Sequence, residues 1–235
     1  MEYCKVLAAE FAKETDGEIP IYYRTKVAEQ IRKDRPKEAE RFGGRVEEIL
    51  DDHNGWIGIF KKLRFVKLGR NFPVSDDMIL CPQEFQIAED AADKMFFRRL
   101  NNRESGIAPK LLEIWLVSSE KAKRDCGFGG LSCYSPTDNK VLINFDNWTC
   151  ASDACKNASA NRDGYERYAV YHEVGHALGF RHVRCMQVMG KKKTKVPIME
   201  QQTLGIIPCE PNVRPIAEME KLGLPKFSSI SILEK

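Results

Sequence analysis

Short apolar runs, some of them alternating with polar residues, predict five β-strands in the first two thirds of the chain. The predicted strands cover residues 19–24, 63–68, 111–118, 131–134 and 140–145. The third is an almost continuous apolar run, which is typical of a central strand. Residues 136–139 are Pro, Thr, Asp and Asn, which favour a tight turn. The last two strands therefore form a predicted β-hairpin, with 140–145 at the edge of the sheet.

Helical patterns separate and follow these strands. Residues 25–52 are rich in helix-forming residues, and Pro36 and the pair Gly43 and Gly44 are expected to divide this region into at least two helices. A long amphipathic helix is predicted over residues 82–102, because its apolar residues recur at steps of three and four. The apolar side of this helix is expected to pack into the core.

The last predicted helices come after the strands. Asp163 followed by Glu166 resembles a capping box, so a helix is expected to begin there and to run to about Leu178. A further short helix is expected over 213–222. Strands thus dominate the first half and the main helix follows them. This order is typical of the α+β class, in which helices are segregated from a mixed sheet.

Length and composition indicate one folded domain. The chain has 235 residues, of which 43% are hydrophobic and 30% are charged. These proportions exclude a disordered chain, which could not bury enough apolar surface to offset its conformational entropy. Residues 1–18 are polar and predict an N-terminal arm or a short helix, and residues 19–235 are expected to form the single domain.

Charge and hydropathy exclude several classes of partner. The 37 basic and 34 acidic residues leave a net charge of +3, too small to drive binding to nucleic acid or acidic membranes. No apolar run is long enough to span a bilayer, and the N-terminus lacks the pattern of a signal peptide. The basic run 191–195 predicts a solvated loop, and the alternative is a loop that recruits acidic substrate or nucleic acid.

Six of the eight cysteines lie in short-range pairs. The pairs are Cys126 with Cys133, Cys150 with Cys155, and Cys185 with Cys209. This clustering favours disulfides and an oxidising compartment, with a secreted or particle-associated protein. The alternative is eight reduced thiols in a cytosolic protein, since the sequence alone does not fix connectivity. Because no signal peptide is seen, the localisation stays open.

Three of the four histidines lie within eleven residues and predict a metal site. His172 and His176 are four residues apart, so on a helix both imidazoles project from one face and can reach one Zn²⁺. Glu173 lies beside the first ligand, where a carboxylate can take a proton from water. Gly179 permits the sharp turn that would bring His182 back to the same metal. Three protein ligands leave one position open, which is typical of catalytic zinc.

This motif resembles the elongated zinc-binding motif of the metzincin metallopeptidases. Residues 196–199 resemble the Met-turn of that clan. The resemblance implies that His172, His176 and His182 bind zinc, that Glu173 is the general base, and that Met199 lies beneath the zinc. The alternative for Met199 is an ordinary core methionine.

The resemblance also implies a fold. It implies a metzincin-like α+β fold, in which a mixed twisted β-sheet accompanies the zinc-binding active-site helix and a small C-terminal subdomain. The upper subdomain would cover residues of about 19–179 and the lower one about 180–235. By the same analogy, a strand that precedes the helix would bind the substrate backbone by strand addition, and 140–145 is the expected candidate.

A closer resemblance covers roughly residues 45–212. Residues 199–205, Cys209 and the pair 211–212 are similar to an uncharacterised metzincin-like domain family known mainly from actinobacteria. In that family a cysteine follows the third histidine, so Cys185 and Cys209 fit a pair. Gln201 stands where astacins and serralysins carry a zinc-binding tyrosine, so that tyrosine is absent and no oxyanion-stabilising residue is assigned.

Two functions from different classes fit the sequence. The first is a zinc metalloendopeptidase that hydrolyses peptide bonds of a protein or peptide substrate, with Zn²⁺ as its cofactor and Glu173 as general base. The alternative is a structural or binding component, for example of a particle or envelope, that keeps the fold and the zinc site without proteolysis and assembles with a partner. Nucleic acid is not expected as a partner in either case, because no aromatic stacking platform accompanies the small net charge.

Overall fold

The structure, a computed structural model, describes residues 19–61, 63–69, 111–159, 161–185, 195–206 and 209–216. Four sequence predictions fall wholly or mostly outside these residues. They are the N-terminal arm over 1–18, the helix over 82–102, the basic loop over 191–195 and the helix over 213–222.

Five strands form one mixed sheet with the order β2-β1-β3-β5-β4. The strands are β1 (Ile19–Val27), β2 (Leu63–Lys67), β3 (Leu112–Val117), β4 (Cys133–Ser135) and β5 (Lys140–Asn144). Neighbours pair in parallel except for β4, which runs antiparallel to β5. The prediction of a mixed sheet with β3 at its centre is confirmed.

The predicted hairpin forms, but its edge strand was assigned wrongly. β4 and β5 pair around the turn at 136–139, where Asn139 adopts a positive φ of 51°. β5 also pairs with β3, so it lies inside the sheet and β4 is the outer strand. The hairpin pattern fixes that two segments pair, whereas the choice of edge depends on which of them β3 joins.

Seven α-helices lie in the described part of the chain. They are α1 (Glu29–Asp34), α2 (Pro36–Leu50), α3 (Trp56–Ile59), α4 (Ser119–Cys126), α5 (Phe145–Trp148), α6 (Asp153–Ala158) and α7 (Arg162–Ala177). Pro36 separates α1 from α2, as predicted, and stands in the first turn of α2. Gly43 and Gly44 do not break α2, contrary to the prediction. A Cβ on Gly43 would lie 3.0 Å from the Thr25 Oγ1, so this glycine lets α2 lie close against β1.

The cap of α7 also differs from the prediction. The side chain of Asn161 caps the helix, because its Oδ1 accepts a hydrogen bond of 2.8 Å from the Gly164 backbone N–H. Asp163 and Glu166 instead form ion pairs with Arg45. The acidic residues that resembled a capping box therefore serve contacts between helices.

A buried ion-pair network joins α2 to α7. Glu166 is fully buried, and its two oxygens bind Arg41 at 2.5 and 2.7 Å. The same carboxylate accepts hydrogen bonds of 2.8 Å from Arg45 and from Arg162. Arg162 also pairs with Glu38, and this hydrogen bond lowers the pKa of the Glu38 carboxyl. The network fixes the first turn of α7 against α2.

The core packs one face of the sheet against α2 and α7. Its largest fully buried side chains include Phe42, Trp56, Ile114, Trp148 and Tyr171. The Trp56 Nε1–H donates to the Tyr171 carbonyl at 2.9 Å, and the Tyr171 hydroxyl donates to the Ile49 carbonyl at 2.8 Å. These contacts seat α7 in the middle of the domain, in contact with β4 and β5.

Three disulfides link cysteines of the described residues, and they are the three predicted pairs. They are Cys126–Cys133, Cys150–Cys155 and Cys185–Cys209. The first joins the end of α4 to the start of β4, and the last follows the third histidine. Among the described helices, none has the length and apolar character that crossing a bilayer would require.

Candidate metal centre

The last two turns of α7 and the turn after it bring three histidines together. His172 and His176 lie one helical turn apart on the same face of α7. The helix ends after Ala177, and Gly179 then takes a φ of 91°, which glycine adopts without strain. The chain folds back at this turn, and the ligand atoms of His172, His176 and His182 lie within 4.8 Å of one another.

Hydrogen bonds at the outer ring nitrogens set the tautomers of two of these histidines. The His172 Nδ1 lies 2.8 Å from the Ile198 carbonyl, and the His176 Nδ1 lies 2.8 Å from the Phe180 carbonyl. A carbonyl oxygen only accepts, so Nδ1 carries the proton in both rings. Each Nε2 therefore presents a lone pair to the centre of the cluster.

The inward nitrogens fit a cation. The His182 Nε2 lies 3.2 Å from the His172 Nε2 and 3.0 Å from the His176 Nε2. The Nε2 atoms of His172 and His176 carry lone pairs, and a neutral His182 ring has at most one N–H to donate. Hydrogen bonds among the three nitrogens therefore cannot satisfy all of them. A metal ion that accepts all three lone pairs satisfies them together. The three histidines can thus hold a metal ion.

The surroundings keep the imidazoles neutral, as metal ligands must be. Burial, and then the neighbouring His176, hold the pKa of His172 well below its usual range. Burial also lowers the pKa of His176, and burial together with His176 lowers the pKa of His182 to about 4. Imidazole sets of this kind suit Zn, Cu, Fe and Ni better than Mg or Ca.

Met199 lies directly beneath α7. Its side chain is fully buried, and a Cβ on Gly175 would overlap its Sδ and come within 2.8 Å of the Trp56 Cζ2. The helix therefore needs glycine at position 175 to lie this close to Met199. The Met199 carbonyl accepts a hydrogen bond of 3.2 Å from the Val183 N–H, which ties the segment to the loop of the third histidine.

Glu173 places a carboxyl group beside the histidines. Its side chain is buried, and burial raises its pKa to about 8, while a hydrogen bond with the backbone of Tyr134 acts in the opposite direction. Tyr134 is the middle residue of β4. The edge strand thus contacts the carboxyl group that neighbours the first histidine.

The three histidines and Glu173 open into one cleft of about 930 Å³. Tyr165 and Tyr168 are buried and also line this cleft. They lie seven and four residues before His172, and this helical spacing places them on the histidine face. Neither tyrosine is among the predicted site residues, although this spacing is visible in the sequence.

A network of hydrogen bonds holds the segment that follows Met199. The Tyr168 hydroxyl donates to the Glu200 carbonyl at 3.1 Å and accepts from the Gln202 N–H at 3.0 Å. The buried Gln202 amide bonds both backbone groups of Asn212, at 2.7 and 2.8 Å. Gln201, two residues after Met199, lines the cleft.

Two of the predicted disulfides lie near the three histidines, whereas the fourth histidine does not. The disulfide of Cys185 and Cys209 fixes the loop that follows His182, and the disulfide of Cys126 and Cys133 lines the cleft. His53, the fourth histidine of the chain, is exposed and borders a different cleft. It takes no part in the three-histidine cluster.

Fold and site together define an α+β protein with a group of three histidines that can hold a metal ion. The chain belongs to the family described as "Protein of unknown function (DUF3152)", whose model matches residues 85–213, more than half of the chain. The matched range includes the three histidines, Glu173 and Met199. A comparison with curated proteins finds no match.

Proposed function

We propose that this protein is a zinc-dependent endopeptidase of the metzincin type. The observation that carries the proposal is the convergence of three imidazole nitrogens beside the buried carboxyl group of Glu173, at the wall of a cleft large enough for a peptide. Such a combination of metal ligands, an acid–base group and a cleft is the usual composition of a hydrolytic metal site.

His172, His176 and His182 would hold the zinc through Nε2. A zinc ion bound there supplies a Lewis acid that polarises a carbonyl group and lowers the pKa of water. The carbonyls of Ile198 and Phe180 orient two of the imidazoles from outside. This outer contact increases the basicity of the ligand nitrogens and fixes the ring planes.

Glu173 would act as the general base, because the positive charge of a zinc ion held by the neighbouring histidines would favour its ionised form over the neutral form that burial favours. Its position next to His172 on α7 places its carboxylate at the wall of the same cleft. An Oε atom of Glu173 takes a proton from the attacking water and delivers it to the nitrogen of the departing amine. The Glu173 side chain is only 6% exposed, which limits the access of bulk water to this proton.

The outer strand β4 would bind the substrate backbone. It replaces the strand over 140–145 that was expected to do so, since β5 lies inside the sheet. Within the described residues, no strand pairs with the other side of β4, and Tyr134 lies on this strand beside Glu173. An extended peptide added there would pass along the cleft, with a protein or peptide as the substrate class.

The metzincin-type fold is part of the proposal. The position of Met199 beneath α7 and the turn at Gly179 support a Met-turn and a lower subdomain that begins after residue 179. Met199 is fully buried and its Sδ lies against Gly175 of α7, so its thioether would support the helix that carries two of the histidines.

Metal removal tests the proposal. We expect the wild-type protein to cleave a denatured protein substrate, to lose this activity in 1,10-phenanthroline and to recover it with stoichiometric Zn²⁺. Mg²⁺ is expected not to restore activity, because it prefers oxygen ligands over imidazole. Cleavage that persists in metal-free protein, measured by mass spectrometry of the fragments, would refute a zinc-dependent mechanism.

A further inference from the structure

The disulfide between Cys126 and Cys133 lies at the active cleft. Cys126 is the last residue of α4 and Cys133 is the first residue of β4. Both cysteines line the cleft that also holds His172 and Glu173. The bridge is therefore attached directly to the strand that, on the proposed function, binds substrate.

The backbone pairing that holds β4 in the sheet is short. The strand is only three residues long and, within the described residues, pairs with β5 alone, while α4 and α7 pack against it. The loop before it carries Gly127, Gly129 and Gly130, all with positive φ, so this loop adds little stiffness. Asn144 ties the loop by hydrogen bonds to the Gly130 carbonyl and to the Ser132 Oγ. The disulfide supplies the covalent link between β4 and α4.

Both cysteines of this bridge border the cleft. Cys126 and Cys133 are both half-buried and line it. Each of the other two bridges instead joins one half-buried cysteine, Cys150 or Cys209, to one buried cysteine, Cys155 or Cys185. Thiol–disulfide exchange requires a thiolate to reach a sulfur atom of the bridge, so access favours Cys126–Cys133.

We propose that Cys126–Cys133 is a thiol–disulfide exchange site whose reduction releases β4 from the cleft. The effect on catalysis rests on the proposed peptidase function. A thiolate of a dithiol reductant attacks one sulfur, the S–S bond breaks, and a mixed disulfide forms. The second thiol of the reductant then displaces the cysteine, so two electrons pass to the bridge, the reductant becomes a disulfide, and Cys126 and Cys133 end as thiols.

Reduction is expected to spare the metal ligands. The carbonyls that orient His172 and His176 belong to Ile198 and Phe180, outside the segment 126–135. The contact between the Tyr134 backbone and Glu173, in contrast, depends on where β4 lies. The reduced protein should therefore keep its zinc and lose order along the substrate strand.

Differential labelling tests the site without any assay of cleavage. Free thiols of the zinc-loaded protein are first blocked with iodoacetamide, dithiothreitol is added for increasing times, and released thiols are labelled with N-ethylmaleimide. We expect Cys126 and Cys133 to be labelled before the other bridged cysteines, and hydrogen exchange at Tyr134 and Ser135 to rise in step. Earlier labelling of Cys155 or Cys185, or unchanged exchange in β4, would overturn the inference.

Activity gives the second readout. Substrate binding to the reduced protein must order one or two loose strand residues. We therefore expect kcat/KM of the reduced protein to be lower by about tenfold than that of the oxidised protein, and to recover on reoxidation. The double variant Cys126→Ser/Cys133→Ser, checked for zinc content, should have the same kcat/KM as the reduced protein. Addition of the reductant should not change this value. Unchanged kcat/KM after selective reduction would refute control of the cleft. Absence of cleavage in both redox states would contradict the peptidase itself, while labelling and exchange would still decide the inference.

Discussion

Replacement of Glu173 by glutamine is expected to slow peptide hydrolysis by about 10²–10⁴-fold, the usual contribution of a general acid–base group. Glutamine keeps the size of the side chain and an oxygen that can accept from the Tyr134 backbone. It cannot take a proton from water, so only the proton transfer is removed. The measurement is kcat/KM on a peptide identified from a library, together with the zinc content.

The matched control for this variant is Glu210→Gln. Glu210 is exposed, so the same chemical change there should leave both activity and metal content unaltered. Full cleavage by the Glu173 variant would contradict the role of this residue. If cleavage were unchanged and the protein bound a partner stoichiometrically, the alternative of a structural component would be favoured.

Replacement of Glu166 by glutamine is expected to destabilise the fold by about 3 kcal/mol. Removal of one partner from a buried ion pair typically costs about 3–5 kcal/mol, because the remaining charge stays buried without compensation. The lower value applies because Arg41 and Arg162 remain partly exposed, at 42% and 34%, whereas Arg45 is 6% exposed. Urea unfolding followed by circular dichroism measures the change.

Glu48 offers a control within the same network. It pairs with Arg45 at 2.6 Å and with Arg167 at 3.3 Å, but its side chain is 58% exposed. Exposed pairs contribute only about 0–1 kcal/mol, so Glu48→Gln should shift the unfolding free energy much less. Equal losses in the two variants would show that burial of Glu166 does not determine the energetics of the network.

Local patterns predicted most of the elements near the site. Alternating and continuous apolar runs located the strands, and the turn residues at 136–139 located the hairpin. The spacing of His172 and His176 on a helix, followed by Gly179, was sufficient to predict that His182 returns to them. These features depend on neighbours close in the chain, so the sequence specifies them directly.

Other features depend on contacts between distant segments. Gly43 is a residue type that weakens helices, but here the helix continues through it, and the absence of a side chain lets the helix lie close to Thr25 on β1. Glu166 looked like part of a cap, but it is buried against Arg41 and Arg45, more than a hundred residues away. The position of β4 at the edge likewise depends on a distant contact, because β3 pairs with β5 and not with β4.

The cleft itself could be predicted only in part. Tyr165 and Tyr168 share a helical face with His172, so their position in the cleft was available from the spacing alone. The placement of Cys126 and Cys133 on the same cleft was not, because it requires β4 to cross beside α7. The disulfide pairing was predicted from proximity in the chain, whereas its location at the cleft needed the folded structure.

The most direct test of the account is the metal content of the purified protein. Elemental mass spectrometry is expected to find about one zinc per chain in the wild-type protein, as the proposed three-histidine zinc site predicts. His176→Ala should lose this zinc, whereas His53→Ala, at the exposed fourth histidine, should keep it. No zinc in the wild-type protein after reconstitution, or equal zinc in the two variants, would contradict the three-histidine metal site.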